Sequence, residues 1–139
     1  MFASVSSRSA NAYRKVAAET SIPDADPHRL VELLYDGLLS AVGAARSALG
    51  RGDIRAKCEH ISTAVRIIDE GLTSGLNLET GGEIAANLKR LYDYCNMRLT
   101  TANARNDDAL LAEVIEIITP LALAWKQIRG AGAPTGFPQ

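Results

Sequence analysis

Between residues 26 and 129, apolar residues recur at three- and four-residue spacing in four successive blocks joined by short links. That period belongs to helices that bury one face. Short links make consecutive helices antiparallel neighbours. The chain is therefore expected to be all-α, an antiparallel up-down-up-down four-helix bundle, with no strand-like alternation of useful length and no internal repeat.

Asp26 and Pro27 open the first block as an N-cap and a proline at the first helical position. Leu34, Leu38, Val42, Ala45 and Leu49 share one face, and Gly50-Arg51-Gly52 ends the block before Asp53 caps the next. The second block aligns Ile54, Cys58, Ile61, Val65, Ile68 and Leu72, with Gly71 and Gly75 loosening its end. The third starts at Thr80-Gly-Gly-Glu83, the spacing of a capping box, and carries Ile84, Leu88, Leu91, Cys95 and Leu99. Residues Asn103 to Asn106 interrupt it, and Asn106 or Asp107 caps the fourth.

The fourth block has two adjacent stripes: Leu111, Ile115, Ile118, Ala122 and Trp125, then Leu110, Val114, Ile117, Leu121 and Ile128. This arc is wider than a surface helix needs, so the second stripe serves either a neighbouring helix or a partner. Leu33 and Leu39 raise the same question on the first helix. Pro120 predicts a kinked or broken last helix. The domain plan is a flexible arm over 1–25 with a short helix at 9–19, a bundle over 26–129, and a disordered tail over 130–139.

Several function classes are disfavoured. A formal net charge of −1 and 5% aromatic residues argue against nucleic acid. The N-terminus lacks a signal-peptide pattern, and no apolar run approaches the roughly 18 residues a membrane span needs. Cys58 and Cys95 fall on apolar faces and read as buried reduced thiols. Together these point to the cytoplasm without membrane insertion. His28 and His60 stand in no Glu-x-x-His pair of a di-iron bundle. No phosphate loop, nucleophile elbow or Cys-x-x-Cys is present, so no catalytic, cofactor or metal residue is assigned. Arg51-Gly52-Asp53 spells an adhesion tripeptide, but its glycine ends a helix and its aspartate caps the next. The chain reads as a binding protein, not an enzyme.

On the third helix, Glu83, Asn87, Tyr94 and Arg98 border the apolar stripe, and Tyr92 lies on the opposite border. Amide, phenol and charge beside leucines suit the grip of a peptide. The same set also describes an ordinary bundle rim, where tyrosine covers the core and its hydroxyl meets water.

Several spaced motifs carry a family resemblance. They are Asn11-Ala-Tyr13, the run from Asp26 through Pro27-His28 to Leu34-Tyr35-Asp36-Gly37, and Gly52-Asp53. Ile67-Ile68-Asp69-Glu70-Gly71-Leu72, Gly81-Gly82-Glu83-Ile84-Ala85-Ala86-Asn87-Leu88, Leu91-Tyr92-Asp93-Tyr94 and Ala124-Trp125-Lys126-Gln127-Ile128 complete the set. In this order, over about residues 10–128, they resemble the FliS family of flagellin export chaperones.

The resemblance implies a cytoplasmic chaperone that binds the disordered C-terminal segment of flagellin, prevents premature polymerisation and delivers the subunit to the flagellar type III export apparatus. An alternative within reach of the same surface is an adaptor or regulator of flagellar assembly that binds another export substrate or an anti-sigma factor. With the resemblance included, the partner-binding residues are expected to be Leu34, Tyr35, Asp36, Ile68, Leu72, Leu76, Leu78, Asn87, Leu91 and Tyr94. Tyr13 and Val16 of the N-terminal arm are expected to cover the groove.

Overall fold

The structure, a computed structural model, describes residues 26–130. The expected arm helix, with Tyr13 and Val16, and the tail from residue 131 lie outside the described residues. Within them there are four α-helices and no strand: α1 (Pro27–Gly50), α2 (Ile54–Arg66), α3 (Gly82–Arg105) and α4 (Asp108–Gly130). A π-helical stretch, Ile67–Thr73, continues α2.

The helix starts follow from local chemistry. The Asp26 carboxylate accepts the His28 amide at 3.1 Å, and Pro27 occupies the first turn. Asp53 accepts the Ala56 amide at 3.1 Å, and Asp107 accepts the Ala109 amide at 3.0 Å. Each satisfies an amide that the first helical turn leaves unpaired. Asn106, at φ 53°, ends α3 in the left-handed conformation that asparagine tolerates.

Each helix packs against two others: α1 and α3 both touch α2 and α4. The shared core takes Leu34, Leu38, Val42 and Ala45 from α1, Ile61, Ala64, Ile68 and Leu72 from α2 and its continuation, Tyr92, Cys95 and Leu99 from α3, and Leu111, Val114, Ile118 and Ala122 from α4. Full burial of one such leucine or isoleucine contributes about 2 kcal/mol before chain entropy is counted.

Four details depart from the sequence reading. Ile54 is exposed, and Lys57 takes the core position instead at 1% exposure. Its stem is apolar, and its ammonium donates to the Asn103 carbonyl (2.9 Å) and side-chain oxygen (2.7 Å) near the end of α3. Tyr92 is in the core at 2% exposure, while Ile84, in the first turn of α3, is exposed. The Thr80-x-x-Glu83 capping box does not form. The Asn77 side chain already accepts the amides of Glu79 (3.2 Å) and Thr80 (3.1 Å), and the helix is entered through Gly81. Finally, α4 runs through Pro120 as one helix, so of the kink or break expected there the break is absent. Pro120 is exposed, which leaves the carbonyl of Glu116 free to turn to water.

The cysteines differ. Cys95 is buried, and burial pushes its thiol up to about 11, with the Glu113 charge adding to the effect. Cys58 is only half-buried, and its thiol donates to the Asn103 side-chain oxygen at 3.2 Å. No helix among the described residues is long and apolar enough to cross a membrane.

Candidate functional site

Ten of the expected binding residues are described, and they fall into three layers. Leu34, Tyr35, Ile68 and Leu72 are interior, at 5% exposure or less. Leu76, Leu91, Tyr94 and Asp36 are half-buried. Leu78 and Asn87 are exposed.

The interior layer is joined by one close approach. A Cβ on Gly71 would stand 2.9 Å from Leu34 Cδ2, so the absence of a side chain lets the π-helical backbone press on α1. Tyr35 and Tyr92 then meet across the core, hydroxyl to hydroxyl, at 2.6 Å. Burial raises the Tyr35 phenol above its usual value, and its bond with Tyr92 opposes that shift.

Above this floor runs the link from Ser74 to Gly81. Asn77 organises it, with two amides on its side chain and the Gly81 amide on its carbonyl at 2.7 Å. A Cβ at Gly81 would fall 2.5 Å from that carbonyl oxygen, so only glycine fits the turn. The link presents Leu78 at 52% exposure, and the first turn of α3 presents Ile84 at 45%. Leu76, Leu88 and Leu91 are partly buried, so apolar surface reaches solvent from the link to the rim of α3.

The polar rim of α3 divides in two. Asn87 is exposed, and its side-chain oxygen accepts from Arg90 one turn later. Tyr94 is half-buried and held by partners within the chain. Its hydroxyl donates to Glu113 Oε2 of α4 at 2.6 Å and accepts from Arg98 Nε at 2.8 Å. Arg98 also pairs with Glu113 Oε1 at 2.9 Å, and its guanidinium lies 5.1 Å from the centre of the Tyr94 ring. Sequence spacing gave Tyr94 a place on the rim but not this three-residue strut, because Glu113 comes from another helix.

Polar contacts also close the seam between α1 and α4. Asp36 pairs with Lys126 at 3.1 Å, and Arg46 grips Asp108 through two bonds of 2.8 and 2.9 Å. The Arg46 hydrogen bond holds the Asp108 carboxyl below the usual carboxylate range. Trp125 stacks on His28 with ring centres 4.5 Å apart and donates its indole N–H to the His28 carbonyl at 2.8 Å.

This arrangement offers an apolar surface bordered by amide, phenol and charge. Among the described residues, no group of three His, Cys, Asp or Glu side chains is placed to hold a metal ion. Apolar contact beside amide, phenol and charge is chemistry of the kind that suits a peptide.

Comparison with known proteins gives a consistent result. Residues 9–132 match the model of the family described as Flagellar protein FliS. The chain is 50% identical over 117 residues to the flagellar secretion chaperone FliS of Salmonella typhimurium, covering 84% of this chain and 87% of that protein. It is 39% identical over 120 residues to the flagellar secretion chaperone FliS of Vibrio cholerae, with 86% and 88% covered. It is 42% identical over 116 residues to the flagellar secretion chaperone FliSB of Pseudomonas aeruginosa, with 84% and 91% covered.

Proposed function

The chain belongs to the FliS family, and on that premise we propose that it is a cytoplasmic chaperone for flagellin, binding the disordered C-terminal segment of that protein, keeping subunits from polymerising early and delivering them to the flagellar type III export apparatus. Named members of the family are secretion chaperones and not enzymes. The observation that carries the reading to a peptide partner is the apolar surface around Leu76, Leu78, Ile84, Leu88 and Leu91, bordered by Asn87 and Tyr94.

In this reading Leu76, Leu78, Asn87, Leu91 and Tyr94 meet the partner. Leu34, Tyr35, Ile68 and Leu72 lie beneath and set the shape of the surface, and Asp36 acts at the α1–α4 seam. The arm over 1–25 covers the groove through Tyr13 and Val16, the bundle spans 26–129, and the tail spans 130–139. Short links and the ring of neighbouring helices fit an antiparallel up-down-up-down bundle.

An unfolded segment with an apolar face is prone to aggregate. Wrapping it on a preformed bundle buries that face, while the free energy spent in ordering it keeps the complex releasable. No step requires a nucleotide or a metal.

The test is co-purification and calorimetric titration with the cell's own flagellin, intact and lacking its C-terminal segment. Binding that needs the segment, with a negative heat-capacity change and only modest weakening by salt, is the expected outcome. Equal binding of both forms would overturn the reading.

A further inference from the structure

A seven-residue π-helical stretch, Ile67–Thr73, joins α2 to the link that carries Leu76 and Leu78. Each π turn holds about one residue more than an α turn, and such turns are rare and frequently lie at functional sites. Tightening this one to α geometry would rotate the chain beyond it by roughly 100°, one residue's worth.

Two observations show how this stretch is balanced. Its packing favours the wide turn: Gly71 sits against Leu34, and Ile68 and Leu72 are buried on either side of it. Its hydrogen bonding favours the tight one. Thr73 Oγ1 is buried and has no hydrogen-bond partner. Thr63, Thr101 and Thr119, all in α-helical turns, donate to the carbonyl four residues back at 3.1, 2.9 and 2.7 Å. For Thr73 that carbonyl belongs to Asp69, and in the π-helical stretch the bond is not made.

We propose that Ile67–Thr73 is an adjustable element that tightens to α geometry when the flagellin segment binds, giving Thr73 the Asp69 carbonyl and swinging the Leu76–Leu78 link onto the partner. The inference rests on the flagellin reading given above. The link can move as a unit, because Asn77 ties Glu79, Thr80 and Gly81 to itself. The partner shifts the balance only by as much as it prefers the tightened form, so a change that favours the wide turn must weaken binding.

Thr73→Val supplies that change. Valine keeps the shape, removes the unmet hydroxyl of the wide form and deletes the bond that only the tight form makes. In the full-length chain the melting temperature should rise while affinity for the C-terminal segment of the cell's flagellin falls at least threefold. Hydrogen-bond couplings in the wild-type protein should pair the Thr73 amide with the Ile68 carbonyl when free and with the Asp69 carbonyl in the complex. A raised melting temperature with unchanged affinity, or the Ile68 pairing kept in the complex, would make the stretch a rigid part of the fold. A melting temperature that does not rise would mean the hydroxyl is not unmet. Failure of the wild-type chain to bind the segment at all would remove the flagellin reading itself, and the adjustable element with it.

Discussion

Tyr35 of α1 and Tyr92 of α3 join the bundle across its centre through hydroxyls 2.6 Å apart. The two helices do not pack along their backbones, so side chains make the diagonal connection. A buried hydroxyl stripped of its partner carries the full desolvation cost of that group.

Tyr92→Phe should therefore lower stability by about 1–3 kcal/mol, because it leaves the Tyr35 hydroxyl buried without this bond. Tyr35→Phe combined with Tyr92→Phe should recover part of that loss, since neither hydroxyl of the pair then remains. Urea unfolding of the single and double variants measures the difference. A double variant no more stable than Tyr92→Phe alone would show that the pair is not what the bundle depends on there.

Gly71→Ala places a methyl group 2.9 Å from Leu34 Cδ2 in a tightly packed core. Overpacking of this kind costs about 1–3 kcal/mol, partly offset by alanine's better helix propensity. The net loss should be on the order of 1 kcal/mol. Adding Leu34→Val removes the obstructing carbon, so the two changes should be less destabilising together than their sum, as a double-mutant cycle reads directly.

The caps at Asp26 and Asp53, a cap at Asn106 or Asp107, most positions of the four apolar stripes and the short links were legible in the sequence, because each rests on local spacing; Ile54 and Ile84 were misplaced, since both are exposed. What was not legible depends on neighbours. Lys57, Ile61, Ala64 and Ile68 keep the helical period, but a lysine enters the core only because Asn103 on α3 offers two oxygens to its ammonium. Tyr92 turns inward because Tyr35 stands opposite. Gly71 signalled a loosened helix end, whereas its seat against Leu34 and the π-helical turn require α1 in place. Of the expected binding residues, exposed Asn87 came from rim spacing on the third helix, and the buried ones came from motifs whose residues build the floor beneath the surface.

The Lys57–Asn103 contact makes an asymmetric prediction. Asn103→Ala keeps the ammonium buried and removes its side-chain acceptor, leaving the backbone carbonyl. Lys57→Met keeps the stem and removes the charge. Stranding a buried charge costs more than deleting it, so Asn103→Ala should be the more destabilising, by about 1 kcal/mol or more. Thermal melts of the two variants decide it, and the reverse order would mean that the ammonium reaches water.

Cys95 gives an alkaline signature. Its thiol is raised from about 9 when unfolded to about 11 in the fold. The folded chain thus holds a proton that the unfolded chain gives up first, and stability falls as pH rises through that window. The contribution is fully present below pH 9 and is lost by about pH 11. Cys95→Ala should flatten this part of the stability profile while lowering stability at neutral pH through the cavity it leaves. In the native protein, half-buried Cys58 should react with a thiol reagent well before Cys95.

Asn87 and Tyr94 separate recognition from support. Asn87 is exposed and its side-chain oxygen accepts from Arg90 of its own helix, so Asn87→Ala should leave the melting temperature nearly unchanged. Tyr94 joins α3 to α4 through Glu113 and Arg98, so Tyr94→Ala should cost stability as well as contact. If both meet the partner, the double variant should weaken flagellin binding by more than about 1.4 kcal/mol, a tenfold change. Asn87→Ala alone should account for a measurable share of it. Tyr94→Phe isolates the strut, because it keeps the ring and removes only the hydroxyl. A bond network exposed at this level contributes no more than about 1 kcal/mol, so the variant should stay folded. Affinity equal to wild type in Asn87→Ala, with every loss in the double variant following the melting temperature, would assign this rim to the bundle and not to the partner.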